Sequence, residues 1–393
     1  MTAPGTSSPG VTAAGSRLLV VAGPGLVADR ELLARLTATE SAALGVPGRF
    51  VVAGDLGELR DLLASAGADP AVAVVALVGA DPTARSLLAA PGPHAGRTVW
   101  YDPDVTAPVA VAPGSRWLAG RGVWGLAWAI RHAVHRLRRP ARRIRYGPGP
   151  EQWGELRLPP AAAAPPVAVL LHGGFWRSVW AADLMDALAI DLADRGYAAW
   201  NLEYRRPDRH GWAATVADVA AGLDALAGLD VEVLDLGRVA VFGHSAGGQL
   251  ALRLAADTAR PARTGGSGPG GGVRVAVAVS LAGVVDLTEG DRRGVGTGAV
   301  AAALGGGHAD RPEVYAEADP MRRLPIGVPQ LVVQGAGDDL DLIDFNRRYV
   351  ARARAVGDEV VWLEQPGDHF AVIDPAADIW QATLGELDQL LGR

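Results

Sequence analysis

The sequence contains neither cysteine nor lysine, and all 37 of its strongly basic residues are arginines. Without cysteine, the protein cannot form disulfides, use a thiolate nucleophile or hold zinc through sulfur. Without lysine, it cannot form a Schiff base or grip a phosphate with the lysine of a P-loop. These two absences exclude several classes of enzyme and binding site.

Long apolar runs and an excess of positive charge are also missing. No run reaches the roughly 18 apolar residues that cross a bilayer, and the N-terminus lacks the basic segment and apolar core of a secretory signal. The net charge of −6 gives no reason to expect a nucleic-acid partner. We interpret the arginine-rich stretch 131–145 as the end of a helix followed by a linker, because no aromatic residues alternate with its arginines. We therefore expect a cytoplasmic protein that binds neither nucleic acid nor membrane.

Length and patterning predict two α/β domains. Residues 1–16, rich in Ser, Thr, Gly, Ala and Pro, predict a flexible tail, and the glycine-rich stretch 259–272 predicts a flexible loop. Short apolar runs alternate with helical patterns over 17–140 and again over 143–393, which indicates parallel sheets with helices on both faces. The second domain opens with IRYG and QWGELRLP, which predict an antiparallel strand pair joined by the turn PGP.

The stretch GHSAGG occupies 243–248, between the predicted strand VAVF and the predicted helix QLALRLAAD. Strand, tight turn and helix are the setting of the G-x-S-x-G nucleophile elbow. Gly243 and Gly247 lack a Cβ, which allows strand and helix to approach closely around Ser245. The N–H of Ala246 would then face a developing oxyanion. We interpret Ser245 as a nucleophile; the alternative is a small residue in a glycine-rich turn.

A serine nucleophile needs a base and an orienting acid, in the chain order Ser, Asp, His. LVVQGAGDD places Asp338 and Asp339 just past one predicted strand, and EVVWLEQPGDHF places His369 past the next. Of the eight histidines, only His369 follows Asp338. We assign His369 as the base and prefer Asp338 to Asp339 as the acid. At least one of the neighbouring carboxylates is expected to cap the next helix.

HGGFW at 172–176 follows the predicted strand VAVLLH. The backbone N–H groups of Gly173 and Gly174 would lie across from Ala246 and complete an oxyanion hole, in which one well-placed donor contributes about 3–4 kcal/mol. We expect His172 to brace this loop rather than bind a metal, because no second ligand follows four residues later. The predicted chemistry requires no metal and no cofactor.

Residues 143–393 resemble an α/β-hydrolase, which implies a mostly parallel eight-stranded sheet. The set HGGFW, NLEYRR, GHSAGGQLAL, SLAGVVDL and PGDHFAVIDP is similar to the kynurenine formamidase (arylformamidase) and related carboxylesterase branch. This resemblance implies an oxyanion hole at Gly173 and Gly174 and hydrolysis of N-formylkynurenine to formate and kynurenine. A carboxylesterase of different acyl preference is the alternative, because many small-molecule esterases share these motifs.

Aromatic and basic residues follow the predicted strands where open α/β sheets bind ligands. We expect Phe175, Trp176 and Tyr204 to contact an aryl substrate; the alternative is that they only pack the loops. Arg205 and Arg206 would either hold a substrate carboxylate or be solvated. Whether residues 287–325 form a lid over Ser245 stays open at this point.

The first domain has a weaker pattern. GPGLVA at 23–28 fits a dinucleotide-binding pattern only loosely, since Pro24 lacks an N–H. RLLVVAGPGL, VVAGDLGELRDLL, VALVGADPTARSLL and WLAGRGVWGLAWAI are similar to a type II 3-dehydroquinate dehydratase, which implies a flavodoxin-like fold. This chain has Ala-Gly-Pro-Gly at 22–25 where that family has Asn-Gly-Pro-Asn, a shortened catalytic lid, and Asp55 where that family has histidine.

These departures predict a first domain without catalysis, serving as a scaffold, an assembly module or a small-molecule site. A homo-oligomer is expected because the resembled family assembles into oligomers. Two rival hypotheses remain: both domains are non-catalytic, or the first domain retains a lyase activity.

Overall fold

The computed structural model describes residues 15–90, 92–104, 109–160, 164–231, 234–259 and 273–393. Nearly all of the predicted tail, and the predicted loop beyond Ala259, lie outside these residues. The chain divides into two compact units, with the boundary between Ala141 and Arg142. None of the described helices is long and apolar enough to cross a membrane.

The first unit contains a five-stranded sheet in which all neighbouring strands are parallel. Its strands are β1 (Arg17–Ala22), β2 (Gly48–Val52), β3 (Val72–Leu77), β4 (Thr98–Asp102) and β5 (Arg116–Ala119). Its helices are α1 (Arg30–Ala43), α2 (Leu56–Ala68), α3 (Pro82–Arg85) and α4 (Gly125–Arg138). The strand order β2-β1-β3-β4-β5 is that of the flavodoxin-like fold, and the predicted fold class is confirmed.

Alternating side chains of β1 show how this sheet is covered on both faces. Leu18 and Val20 pack in one apolar cluster with Leu33 of α1, whereas Leu19 and Val21 belong to a second cluster on the other face. A strand that is buried on both faces needs a continuous apolar run, and the LLVV of β1 supplies it.

Asp55 begins α2 as its N-cap. The Asp55 carboxylate accepts a hydrogen bond from Glu58 N at 2.9 Å, and the Glu58 carboxylate accepts one from Gly54 N at 2.7 Å. The first bond satisfies a backbone donor that the first helical turn leaves free, and the second joins Glu58 to the residue before the cap. In the arginine-rich stretch, Arg131 of α4 pairs with Glu40 at 2.7 Å, and the expected helix end is present.

The second unit contains an eight-stranded sheet with the order β13-β12-β11-β10-β8-β9-β7-β6. The strands are β6 (Arg142–Arg145), β7 (Trp153–Arg157), β8 (Pro166–Leu171), β9 (Ala198–Glu203), β10 (Asp235–His244), β11 (Val275–Leu281), β12 (Gln330–Gly335) and β13 (Val360–Gln365). Strand β7 runs antiparallel to β6 and β9, and the other pairs are parallel. Both the mostly parallel sheet and the opening antiparallel pair are therefore confirmed.

The helices of this unit are α5 (Asp186–Asp194), α6 (Pro207–His210), α7 (Trp212–Asp224), α8 (Ala246–Ala259), α9 (Leu287–Arg292), α10 (Val295–Leu304), α11 (Pro312–Ala318), α12 (Pro320–Arg323), α13 (Leu340–Ala355) and α14 (Asp378–Leu390). Its main apolar core joins β8 to β12 with α7, α8 and α13.

Short helices occupy residues 287–325, the segment for which a lid over Ser245 was left open by the sequence. Helices α9 to α12 lie between β11 and β12, and α10 begins with left-handed residues at 296–298. A Cβ built on Gly296 would lie 2.5 Å from a ring carbon of Phe175, and Arg177 donates to Gly296 O at 2.9 Å. The segment therefore packs against the loop that follows β8.

Candidate active site

The predicted nucleophile, oxyanion hole, acid and base lie at one edge of the second sheet. Ser245 follows β10, Gly173 and Gly174 follow β8, Asp338 follows β12, and His369 follows β13. Because these strands are parallel, their carboxyl ends meet at the same edge, where open α/β sheets bind ligands. The topology brings together residues that lie far apart in the sequence.

Ser245 occupies a left-handed backbone conformation, with φ of +56°. This region is costly for a residue with a Cβ. Hydrogen bonds hold the conformation: Ser245 N donates to Leu281 O at 2.8 Å, and Val284 N donates to Ser245 O at 3.2 Å. A Cβ on Gly243 would lie 1.9 Å from Gly247 O, so the predicted need for glycine at this crossing is confirmed.

Asp338 is the carboxylate that reaches the predicted base. His369 Nδ1 lies 2.9 Å from Asp338 Oδ2, which also accepts from Gln334 Nε2 at 2.8 Å. Because a carboxylate accepts, Nδ1 carries the proton and Nε2 is left as the basic nitrogen. Asp339 instead caps α13, accepting from Asp341 N at 2.8 Å.

The environment of Asp338 favours the ionised form. Burial alone would raise the pKa of this carboxyl, but hydrogen bonds from His369, Asp339 N and Gln334 outweigh burial and lower the pKa. An ionised Asp338 both fixes the tautomer of His369 and stabilises the imidazolium that would form during proton transfer.

His244 is a site residue that the sequence analysis missed. Its Nε2 donates to His369 O at 2.9 Å, and the two rings lie 4.7 Å apart. Burial, followed by the charge of His369, lowers the pKa of His244 to about 3, so its ring is neutral near pH 7. The side chain joins the serine turn to the loop that carries the base. Its position directly before Ser245, at the end of a strand, was the available signal.

The loop after β8 needs two residues without side chains. A Cβ on Gly173 would lie 2.9 Å from the Cβ of Ser245, and a Cβ on Gly174 would lie 2.3 Å from Trp180. Gly174 has φ of +109°, and Phe175 and Trp176 are also left-handed. The Gly173 backbone therefore lies against the serine, and Ala246 begins α8 directly beyond it.

The three aromatic residues expected to bind substrate occupy different environments. Trp176 is 2% exposed and its Nε1 donates to Gln249 Oε1 at 3.1 Å. Tyr204 is fully buried and its hydroxyl donates to His172 O at 2.7 Å. Burial favours the packing alternative for these two, whereas Phe175 is partly exposed. Substrate contact stays a prediction, and Phe175 is the residue best placed for it.

The structure separates the two arginines: Arg205 is partly exposed, as the solvated alternative expects, whereas Arg206 is buried, and both are paired with carboxylates of the unit. Arg205 makes two hydrogen bonds to Asp218, at 2.8 and 2.7 Å. Arg206 is buried and pairs with Glu203 and with Glu151. Glu203 belongs to the same NLEYRR stretch, but Asp218 and Glu151 come from elsewhere in the unit, and their pairing with the two arginines could not be read from the local sequence.

Within the described residues, no group of three or more His, Asp or Glu side chains is placed to hold a metal ion.

Known proteins match the second unit. The BD-FAE family model matches residues 155–344. Esterase LipC of Mycobacterium tuberculosis is 31% identical over 252 residues, which are 61% of this chain and 60% of LipC. The chain thus spans well under two thirds of the length of this curated relative.

Solved structures resemble a similar share of the chain. A truncated carbohydrate esterase from gut microbiota superposes with a TM-score of 0.55 at 15% identity, covering 64% of this chain and 95% of its own. A thermophilic esterase of the planctomycete Thermogutta terrifontis, with propionate bound, gives 0.51 at 20% identity, covering 64% and 93%. Together with the strand order and the serine turn, these likenesses show that the second unit has the α/β-hydrolase fold.

Proposed function

We propose that the second unit is a serine hydrolase that cleaves small carboxylic esters through an acyl-enzyme. The observation that carries the proposal is the Asp338–His369 pair, at 2.9 Å, on the same sheet edge as the left-handed Ser245. The similarity to LipC, a curated esterase, and the match to the BD-FAE model support it.

In the proposed reaction, Ser245 Oγ attacks the acyl carbon while His369 Nε2 takes the hydroxyl proton. The backbone N–H groups of Gly173, Gly174 and Ala246 stabilise the negative oxygen of the tetrahedral intermediate. His369 then returns the proton to the leaving group, and water repeats the sequence on the acyl-enzyme. Asp338 holds His369 in the productive tautomer throughout.

An ester substrate and an aryl formamide substrate differ in the leaving group. The formamidase-like motifs favour an aryl formamide such as N-formylkynurenine, whereas the esterase relatives favour an ester. Both substrates use the same nucleophile and oxyanion hole, and an amide depends more on proton delivery because an amine leaves poorly unless protonated. We place ester hydrolysis first and deformylation second.

Paired turnover of p-nitrophenyl acetate and N-formylkynurenine by the full chain tests both assignments. Ester cleavage that disappears in Ser245→Ala supports the hydrolase, and rapid deformylation lost in the same variant supports the formamidase. A fluorophosphonate probe should label wild type and not Ser245→Ala. No turnover together with no labelling would overturn the proposal and favour a non-catalytic binding protein.

For the first unit we propose a scaffold or assembly role for a homo-oligomer. Supporting it, Asp55 serves as a helix cap at the position where the resembled dehydratases have histidine. Light scattering of the purified chain tests the assembly, and measurable 3-dehydroquinate dehydration would contradict the absence of catalysis.

A further inference from the structure

His172, the first residue after β8, has one ring nitrogen at hydrogen-bond distance from a carbonyl oxygen and the other within ion-pair distance of a carboxylate. Nδ1 lies 2.8 Å from Gly173 O, and Nε2 lies 3.4 Å from Glu203 Oε1. The side chains of His172 and Glu203 are 1% and 3% exposed. Because carbonyl and carboxylate oxygens accept and do not donate, a favourable contact on both sides needs a proton on each nitrogen.

Glu203 is held in its ionised form by donors on both oxygens. Its Oε2 accepts from Ala182 N at 3.0 Å, and its Oε1 accepts from Tyr204 N at 3.2 Å and pairs with Arg206. A buried carboxylate surrounded by donors stays charged. Arg206 in turn pairs with Glu151 at 2.8 Å, so the cation beside Glu203 is also neutralised from its far side.

Two further neighbours of His172 are compatible with a positive ring. Tyr204 stacks on it, with centroids 4.4 Å apart and planes 14° apart, and offers the electron-rich face of its own ring. His244 also interacts electrostatically with His172, and its pKa is lowered to about 3 by burial first, then by the charge of His369, with a smaller contribution from His172. His244 is therefore neutral and adds no competing charge.

We propose that Glu203 holds His172 as an imidazolium, whose charge acts through the Gly173–Gly174 peptide to stabilise the oxyanion formed at Ser245. The inference rests on the proposed hydrolase function. His172 Nδ1–H donates to the carbonyl of the peptide whose N–H belongs to Gly174. A hydrogen bond to that carbonyl polarises the peptide and makes its N–H a stronger donor. His172 is thus a positioning residue that acts through the backbone.

The charge state can be measured without any substrate. In a long-range ¹H–¹⁵N spectrum of the histidine-labelled full chain, a ring with two protonated nitrogens is distinct from a neutral ring. We expect His172 to show both nitrogens protonated from about pH 6 to about pH 8, and His244 to show one. His172→Gln and His244→Gln assign the signals. A neutral His172 in this range would overturn the inference, and this measurement remains decisive if a Glu203 variant fails to fold.

Glu203→Gln tests the effect on rate, with Glu151→Gln as its matched control. Both variants remove one carboxylate charge next to Arg206, but only Glu203 contacts His172. We expect Glu203→Gln to make His172 neutral and to lower kcat/KM for p-nitrophenyl acetate roughly ten- to hundredfold. Glu151→Gln should leave the His172 signals unchanged and kcat/KM within about twofold.

The outcomes separate this inference from the proposed function. If both variants lower kcat/KM equally while His172 keeps its two protons, the loss reflects general damage to the buried ion pairs, and the proposed link to rate is wrong. If wild type hydrolyses esters but His172 is neutral, the inference fails and the hydrolase stands. If His172 is an imidazolium but wild type neither turns over ester nor reacts with the fluorophosphonate probe, the hydrolase proposal fails, and the role in oxyanion stabilisation fails with it.

Discussion

Replacing Ser245 with glycine should stabilise the second unit relative to replacing it with alanine. Ser245 has φ of +56°, where a residue with a Cβ loses about 1–2 kcal/mol. Alanine keeps that cost and glycine removes it. Glycine lowers the free energy of unfolding by roughly 0.5–1 kcal/mol, because the unfolded chain has greater conformational freedom at glycine. The difference leaves Ser245→Gly more stable than Ser245→Ala by about 0.5–1 kcal/mol.

Thermal unfolding of the two variants measures this difference. Both lack the hydroxyl, so the comparison isolates the Cβ, and both should be inactive. For a unit of this size, about 0.5–1 kcal/mol corresponds to a rise in Tm of roughly 1–4 °C. Because the chain has two units, the thermal transition of the second unit must be identified. Ala351→Gly identifies it, because the substitution lies in the second unit and should shift only that transition. Ala351 is exposed in the interior of α13, where the same loss of a Cβ should cost about 1 kcal/mol.

We expect glycine to change the Tm in opposite directions at positions 245 and 351. Ala351→Gly should lower the Tm of the second unit, whereas Ser245→Gly should raise it relative to Ser245→Ala. If glycine at position 245 is no more stable than alanine, the left-handed serine carries no backbone strain, and the account of the elbow given above is refuted.

Three further predictions follow from the same geometry. Asp338→Asn should lower kcat for p-nitrophenyl acetate by about 10³–10⁴, because the amide no longer fixes the tautomer of the base; Asp339→Asn keeps a helix cap and should retain most activity. Gly243→Ala should abolish folding of the second unit, since its Cβ would lie 1.9 Å from a backbone oxygen, whereas Gly385→Ala, with nothing within 4 Å, should fold normally; circular dichroism distinguishes them. The pKa of His244 falls from its ordinary 6.5 to about 3 on folding. Below pH 6.5 the unfolded chain therefore binds a proton that the folded chain does not. The free energy of unfolding then decreases as the pH falls, by at most about 1.4 kcal/mol per pH unit. Urea unfolding between pH 6.5 and 5 should be less pH-dependent in His244→Gln, and parallel curves would contradict the assignment.

The sequence predicted those parts of the fold that depend on local patterns. The predicted helix QLALRLAAD is observed within Ala246–Ala259, because its apolar face begins directly after the serine turn. The helix expected after Asp338 and Asp339 begins at Leu340, and Asp339 caps it as one of these carboxylates was expected to do. The catalytic candidates could be located because each directly follows a strand of a parallel sheet, and such strands end at one edge.

Helices α9 to α12 could not be predicted in this way. Helix α10 contains VGTGAVAAAL, in which glycine and alanine predominate, so no polar face marks it as a surface helix. Its start depends instead on contacts with the loop after β8, including the hydrogen bond from Arg177 to Gly296 O. Such tertiary contacts leave no periodic signal in the sequence.

The sequence analysis did not foresee that Arg206 of NLEYRR is buried, because charged residues are ordinarily exposed. Glu203 and Arg206 lie three residues apart, and their partner Glu151 joins them only after folding. Burying such pairs often adds no more stability than well-packed apolar residues of similar size. Stability alone therefore does not explain three ionised side chains behind the loop of Gly173 and Gly174. Their position offers an explanation, because Glu203 lies 3.4 Å from His172, whose proposed charge acts on that loop.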